Sequence, residues 1–384
     1  MRIAYLHYLC PDDTACHHVR QFVVASQGLG HRVDVYAMNP AGGEAPAASH
    51  AEPRGAWRRS VGRYLHEPRE LARNARYLWT EPRAVRDARP DVLLVRDHFL
   101  TASCVALARR LHVPLVLEMN APAAEARLYQ PEYWHVPGVA ERLEGWKLRQ
   151  AARVTVVSNA LRDHLVSRHG VPAARFVVVP NGADPDVFRT DLEPDAGLRD
   201  LREAGVVVGF VGSFKEWHGG ELLARMMVAV ARARPAARFV LVGDGPRAEA
   251  VRAAAAGLNG QVRFLGAVPH ASIPRITAGL HVGEVPDCGF YMSPLKVLEW
   301  MSAGKAVVAP AHGPLREVID DGVHGLLFAP GDLDALVAAV LRLIDDADLR
   351  RRVGAAAAAR VRERLSWRHN AERVVAACAE AVRG

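Results

Sequence analysis

The chain has 384 residues, 50% of them hydrophobic, with 49 Lys and Arg against 42 Asp and Glu, a formal net charge of +7. At ~150 residues per domain this length exceeds one ordinary domain and predicts two or three. The basic excess suits anionic ligands or an anionic membrane face without singling out nucleic acid, and an arginine-rich solvated surface gives the same balance. The five cysteines, Cys10, Cys16, Cys104, Cys288 and Cys378, are scattered, with no CxxC pair and no metal-ligand spacing, which fits a reduced, cytosolic protein. The opening MRIAYLHYL is too short in its apolar part for a signal peptide and reads as a first buried strand. No stretch approaches the ~20 apolar residues of a membrane span.

From end to end, short apolar runs alternate with longer helical patterns, which predicts α/β architecture with two doubly wound parallel sheets. The first set of strands is expected at 2–6, 32–36, 92–95, 115–117, 154–157 and 176–179. The second is expected at 206–211, 238–242, 262–265, 282–285, 306–309 and 325–328. Between them, TDLEPDAGLRD (190–200) interrupts both periodicities and reads as the break. Open parallel sheets take ligands outside the carboxyl ends of their strands, so two facing sheets predict a cleft. Residues 51–90 stand apart, with ten arginines interleaved with aromatics such as Trp57, Tyr64, Tyr77 and Trp79. They read either as a surface resting on an anionic bilayer or a lipid-linked acceptor, or as arginine-covered helices, with Pro68 and Pro82 expected to break any long amphipathic helix.

The most informative segment is FYMSPLKVLEWMSAGKAVVAP (290–310), a polar loop, a short helix and a buried strand. Ser293 is placed to cap the helix, Pro294 suits its first position and Gly304 lies just past its end. The free amides of that helix start favour an anion, with Lys296 in the first turn as counter-charge. Glu299 follows on the same face, leaving Val297, Leu298 and Met301 to the core. Such a pair suits a phosphorylated, hydroxyl-rich ligand, and equally an ordinary surface ion pair.

The run PLKVLEWMSAGKAVVAP resembles the nucleotide-sugar motif of glycosyltransferase family 4, in the version SPLKxxEYMAxGKPVV. VTVVSNALRDHL (154–165), VVVPNGADPDVF (177–188), VGSFKEWHG (211–219), LVGDGP (241–246) and VRFLGAVPH (262–270) resemble the family in the same order. The resemblance implies the GT-B fold, two Rossmann-like domains facing across a cleft. It divides the chain into an acceptor-binding domain (1–189), a linker (190–203), a nucleotide-sugar domain (204–366) and a C-terminal helix (367–384) crossing back to the first domain.

For the donor site the resemblance implies Gly212, Ser213, Lys215, His218, Asp244, Val268, Tyr291, Met292, Ser293, Pro294, Leu295, Lys296 and Glu299. Ser213 stands where the family places a diphosphate-binding Arg and His218 where it places a Lys, so Lys215 and Lys296 are expected to supply the charge. Glu299 matches the family's ribose-binding glutamate, since a carboxylate can accept from both vicinal hydroxyls. Its partner glutamate, near the donor sugar, is replaced by Tyr291, with Asp287 as a candidate substitute.

In the first half, LVLEMNAPAAEARLY (115–129) resembles a bacterial VLExNAPxxxE version, which makes Asn120 a candidate sugar contact. Glu118 and Glu125 become candidates for the acceptor wall. Asp12, Asp13, His17 and His18 replace the glycine-rich loop after the first strand and are acceptor candidates. Adjacent side chains diverge, and the fold generally works without a bound metal, so no metal ligand is assigned.

The expected activity is retaining transfer of a hexose-type sugar from an NDP-sugar substrate, UDP ahead of GDP, to a hydroxyl of a glycan, lipid-linked or natural-product acceptor. Lys215, Lys296, Glu299 and Asn120 carry it, with no cofactor and no nucleic-acid partner. The expected location is cytoplasmic, with peripheral contact at the inner membrane face through 51–90 as an option. A degenerate sugar-nucleotide-binding homologue and an epimerase of the same fold are the alternatives.

Overall fold

The computed structural model describes residues 1–9, 15–39, 65–123, 136, 138–258 and 260–384. These form two compact units, Met1–Pro180 with Arg368–Gly384, and Asn181–Trp367. The first holds a parallel sheet of β1 (Arg2–His7), β2 (Arg32–Ala37), β3 (Val92–Arg96), β4 (Leu115–Met119), β5 (Arg153–Val156) and β6 (Phe176–Val178). Its order is β2-β1-β3-β4-β5-β6. Both faces are covered, which is why these strands read as nearly unbroken apolar runs. Ile3, Tyr5, Val92, Leu94 and Val116 pack with Val19 and Phe22 of the helix Ala15–Gly28. Ala371, Val374, Cys378 and Ala381 of the last helix, Trp367–Arg383, join the same core.

The second unit holds β7 (Val207–Val211), β8 (Arg238–Val242), β9 (Val262–Gly266), β10 (Val282–Glu284), β11 (Ala306–Pro310) and β12 (Leu326–Phe328). They run parallel in the order β12-β11-β10-β7-β8-β9. Strand alternation sends Val208, Phe210, Phe239 and Leu241 to one face and Val207, Val240 and Val242 to the other. In each sheet the winding reverses beside the first strand, where β1 lies between β2 and β3, and β7 between β8 and β10. Such a reversal opens a crevice at the carboxyl ends of the flanking strands, which here brings the loops after β7 and β10 side by side.

All twelve expected strands have an observed counterpart. The 190–203 stretch lies within the second unit, where Leu198 and Leu201 join its core. Pro68 and Pro82 do not break the helix His66–Ala84 as anticipated. Pro68 sits in the first turn, where its missing N–H costs no intrahelical bond, and Pro82 falls in the last turn. Residues 51–64 of the arginine-rich region lie outside the described residues. Among the described residues, no helix is long and apolar enough to cross a membrane.

Candidate active site

In the second unit the loop after β7 begins at Gly212, where an added Cβ would stand 2.9 Å from Lys296 Nζ and 2.9 Å from Phe210 Cζ. A side chain here would crowd the lysine where it reaches over the strand end. Phe214 takes a left-handed backbone, φ 40°, and buries its ring 4.9 Å from that of Phe210. Strain of this kind in a bulky residue is held by its surroundings and clusters at functional loops. Gly219 closes the loop with φ 62°, and a Cβ there would lie 2.9 Å from that of Asp287 in the loop after β10. The two loops are thus in contact at the switch point.

Lys296 projects from the helix Leu295–Ser302 with its ammonium 4.5 Å over the Phe210 ring, a cation–π contact. The ammonium is shut off from solvent and has no hydrogen-bond partner among the described residues. Burial lowers its pKa to about 8 against the opposing pull of Cys288, Glu284 and Glu299. His218 has a buried Nδ1 with no hydrogen-bond partner among the described residues, and burial with the charges of Lys296 and Lys215 pushes its pKa down to about 2. A neutral imidazole offers a hydrogen bond but no positive charge. Lys215 is exposed and lies 5.0 Å over the Trp217 ring.

Glu299 is buried one turn after Lys296, with His270 Nε2 3.8 Å from its Oε1. Tyr291 is buried with its ring edge-on to Phe290, and Met292 packs on the core while its sulfur accepts from Gly289 N at 3.3 Å. Ser293 does not cap the helix. Its hydroxyl accepts from Asn181 N at 3.2 Å, and its carbonyl accepts from Asn181 Nδ2 at 2.7 Å. Pro294, expected inside, is the cap position and Leu295 the first helical residue. Asp244 is exposed and accepts from Gly245 N, while Val268 packs against the core. Asp287 accepts from Cys288 N at 2.8 Å and lies 3.0 Å from His312 Nε2.

Two residues here were not foreseen. Glu284 is fully buried at the end of β10, neither of its oxygens has a hydrogen-bond partner among the described residues, and burial raises its pKa to about 8. The signal available was a lone acid inside the apolar run HVGEVP. Asn181 lies in the run VVVPNGADPDVF, but nothing local marks its bonds, which run to Ser293 far along the chain.

In the first unit Glu118 is the hub of a buried polar cluster at the end of β4. It accepts from Tyr5 Oη, Arg96 Nη1 and Asn120 Nδ2, the last at 2.7 Å, and His18 Nε2 lies 3.1 Å away. Burial raises its pKa, but His18 and Arg96 outweigh that and hold the carboxyl well below the usual range. With both oxygens engaged, Glu118 orients Asn120, Arg96 and His18 and has little capacity left for a ligand. His17 is half-buried beside His18 on the same helix. Asp12, Asp13 and Glu125 lie outside the described residues. A second buried acid, Glu81, accepts from Tyr8 Oη at 2.8 Å and Ser103 Oγ at 2.5 Å, and burial raises its pKa.

Residues 205–346 match the family model described as Glycosyl transferases group 1, and residues 17–187 match that described as Glycosyltransferase Family 4. Two successive stretches of the chain are thus similar to glycosyltransferase family models, each over less than half of its length. The 2-deoxystreptamine glucosyltransferase of Streptomyces kanamyceticus is 32% identical over 213 residues, 53% of this chain and 54% of its own length. The D-inositol 3-phosphate glycosyltransferase of Segniliparus rotundus is 28% identical over 305 residues, 76% of this chain and 67% of its own. The matches therefore span between about half and two-thirds of these relatives. Among solved structures, Anabaena Alr3699/HepE in complex with UDP-glucose has a TM-score of 0.71 and 18% identity over 98% of both chains, a likeness in fold of the GT-B class. Lys296 and Glu299 fall within the first of the two matched glycosyltransferase models, and Glu118 and Asn120 within the second.

Proposed function

We propose that the chain is a retaining glycosyltransferase that moves a hexose-type sugar from a nucleoside diphosphate, UDP before GDP, to an acceptor hydroxyl. The donor binds the second unit and the acceptor is held mainly by the first. The observation that carries this reading is the convergence of Lys296 and Glu299 with the loops after β7 and β10 at the sheet's switch point. Lys296, aided by exposed Lys215, neutralises the leaving diphosphate, and neutral His218 donates a hydrogen bond. Glu299 accepts from the ribose hydroxyls. The backbone of residues 291–294, walled by Asp244 and Val268, meets the phosphate and sugar. Asn120, fixed by Glu118, contacts the sugar, with His17 and His18 on the acceptor side.

Catalysis in such a site is positioning plus charge stabilisation. The anomeric C–O bond to phosphate breaks as the bond to the acceptor oxygen forms on the same face, and the acceptor proton passes to the departing phosphate oxygen. The names of the two relatives above, both concerning cyclitols, support a small cyclic polyol as acceptor, and the UDP-glucose bound by HepE supports the donor class. A lipid-linked acceptor finds support in Leu71, Leu78 and Trp79, exposed on the arginine-bearing helix His66–Ala84. Only that alternative has the protein pellet with anionic vesicles and release in salt.

The test is thermal stabilisation by a panel of UDP-, GDP-, ADP- and dTDP-sugars, with Glu299→Ala alongside. A rise selective for one nucleotide and absent in the variant supports the donor site. No shift with any nucleotide moves the degenerate reading ahead, which Ser213 and Tyr291 favour by standing where the resemblance expects charged residues. Binding without transfer or hydrolysis over a broad acceptor panel would do the same.

A further inference from the structure

Glu284 has no part in the reading above, yet its position is costly. It is fully buried and accepts no hydrogen bond among the described residues, a state a charged carboxylate tolerates poorly. The register of β10 on β7 pairs Val282 with Val208, so Glu284 comes next to Phe210. Lys296 Nζ stands 4.5 Å over that same ring, likewise buried and unpartnered. The acid beside Phe210 in the strand register and the ammonium over the Phe210 ring are near enough to bias each other's ionisation, with no hydrogen bond between them.

The groups around them are few. Cys288 and Glu299 face Lys296, and Lys296 and Lys215 bear on His218. Asp287 is engaged with His312 and the Cys288 amide. Burial keeps the Cys288 thiol protonated by raising it to about 12, and His218, pushed down to about 2, stays neutral at working pH.

We propose that Glu284 is the buried proton partner of Lys296, a positioning residue that stays protonated while the ammonium holds the diphosphate, so that nucleotide binding takes up protons through this pair. The inference rests on the donor reading of the site. Glu284, raised to about 8, and Lys296, lowered to about 8, titrate over one range as a coupled pair. A diphosphate beside Lys296 favours the ammonium and disfavours a second negative charge on Glu284, so the bound state holds both protons. Affinity therefore falls as pH rises through that range, with two groups contributing to the fall. With Glu284→Gln the amide keeps the shape and removes one of them.

The experiment is isothermal titration of UDP into the wild type and Glu284→Gln from pH 6.5 to 9.5, in buffers of differing protonation enthalpy. The expected result is similar affinity at pH 6.5. Above pH 8 the slope of log Kd against pH should approach about two in the wild type and about one in the variant, with proton uptake roughly halved. Equal slopes and equal proton uptake in the two proteins would overturn the role of Glu284 while leaving the donor site standing. Absence of binding by both proteins at every pH, with UDP and with GDP, would overturn the donor reading and this inference with it. If the variant does not fold, the wild-type slope decides: about two supports the pair, and one or less sinks it.

Discussion

Lys296 is held at a cost, since its ammonium is buried with no hydrogen-bond partner among the described residues, only the face of Phe210. Replacing it with Met should raise or preserve the melting temperature, because an uncompensated buried charge is removed. UDP affinity should fall at least tenfold, ~1.4 kcal/mol, because the diphosphate loses its counter-charge. Calorimetry beside thermal melting reads both, and a parallel loss of the two would mean the lysine is structural. Glu118 behaves in the opposite way. Glu118→Gln would leave Arg96 and His18 facing each other without their shared anion, a break expected to cost about 3–5 kcal/mol in urea unfolding. Sequence marked Lys296, Glu299, Glu118 and Asn120 because each lies in a short motif. It could not mark Tyr5 and Arg96, which reach Glu118 from strands 113 and 22 residues away.

At the level of elements, the helix Leu295–Ser302 docks through Trp300, which lies over Gly283 of β10. A Cβ at Gly283 would come within 2.3 Å of the Trp300 ring. Gly283→Ala should therefore push the helix outward, destabilise the second unit by about 1–3 kcal/mol and weaken UDP binding as Lys296 and Glu299 shift together. Gly212→Ala separates the two effects. Its methyl meets the Lys296 ammonium and the Phe210 ring edge, so it should weaken UDP binding with a smaller change in melting temperature than Gly283→Ala causes. Strands were legible because a buried parallel strand needs an apolar run of a few residues, and all twelve are where such runs fall. The start of this helix was not legible in the same way. Ser293 fits a cap by local rules, but Asn181, 112 residues earlier, takes its hydroxyl and carbonyl instead.

For the molecule as a whole, the buried acids set how stability varies with pH. Glu284 has a folded pKa raised from 4.5 to about 8, so its favourable contribution is complete below about pH 4.5 and is lost as pH rises through 8. Melting of the wild type and Glu284→Gln should therefore diverge from pH 5 to pH 8, the variant gaining relative stability as pH rises, and a constant difference would contradict the burial of this carboxyl. Glu118, held low, contributes above its unfolded range and loses that contribution as pH falls, so acid should weaken the first unit through this cluster.

Two parallel α/β sheets were legible in the chain's local pattern, and so was the motif around Lys296 and Glu299 on which the proposed donor site rests, because strand runs, helix periodicity and that motif are all written within windows of a few residues. The tertiary structure alone decided which charges are buried and who partners them. Glu284 becomes a buried acid beside Phe210 in the register, without a hydrogen-bond partner among the described residues, and Glu118 a saturated hub, only when strands far apart in the chain align in parallel register. Desolvation and electrostatic coupling depend on that alignment rather than on neighbours in sequence.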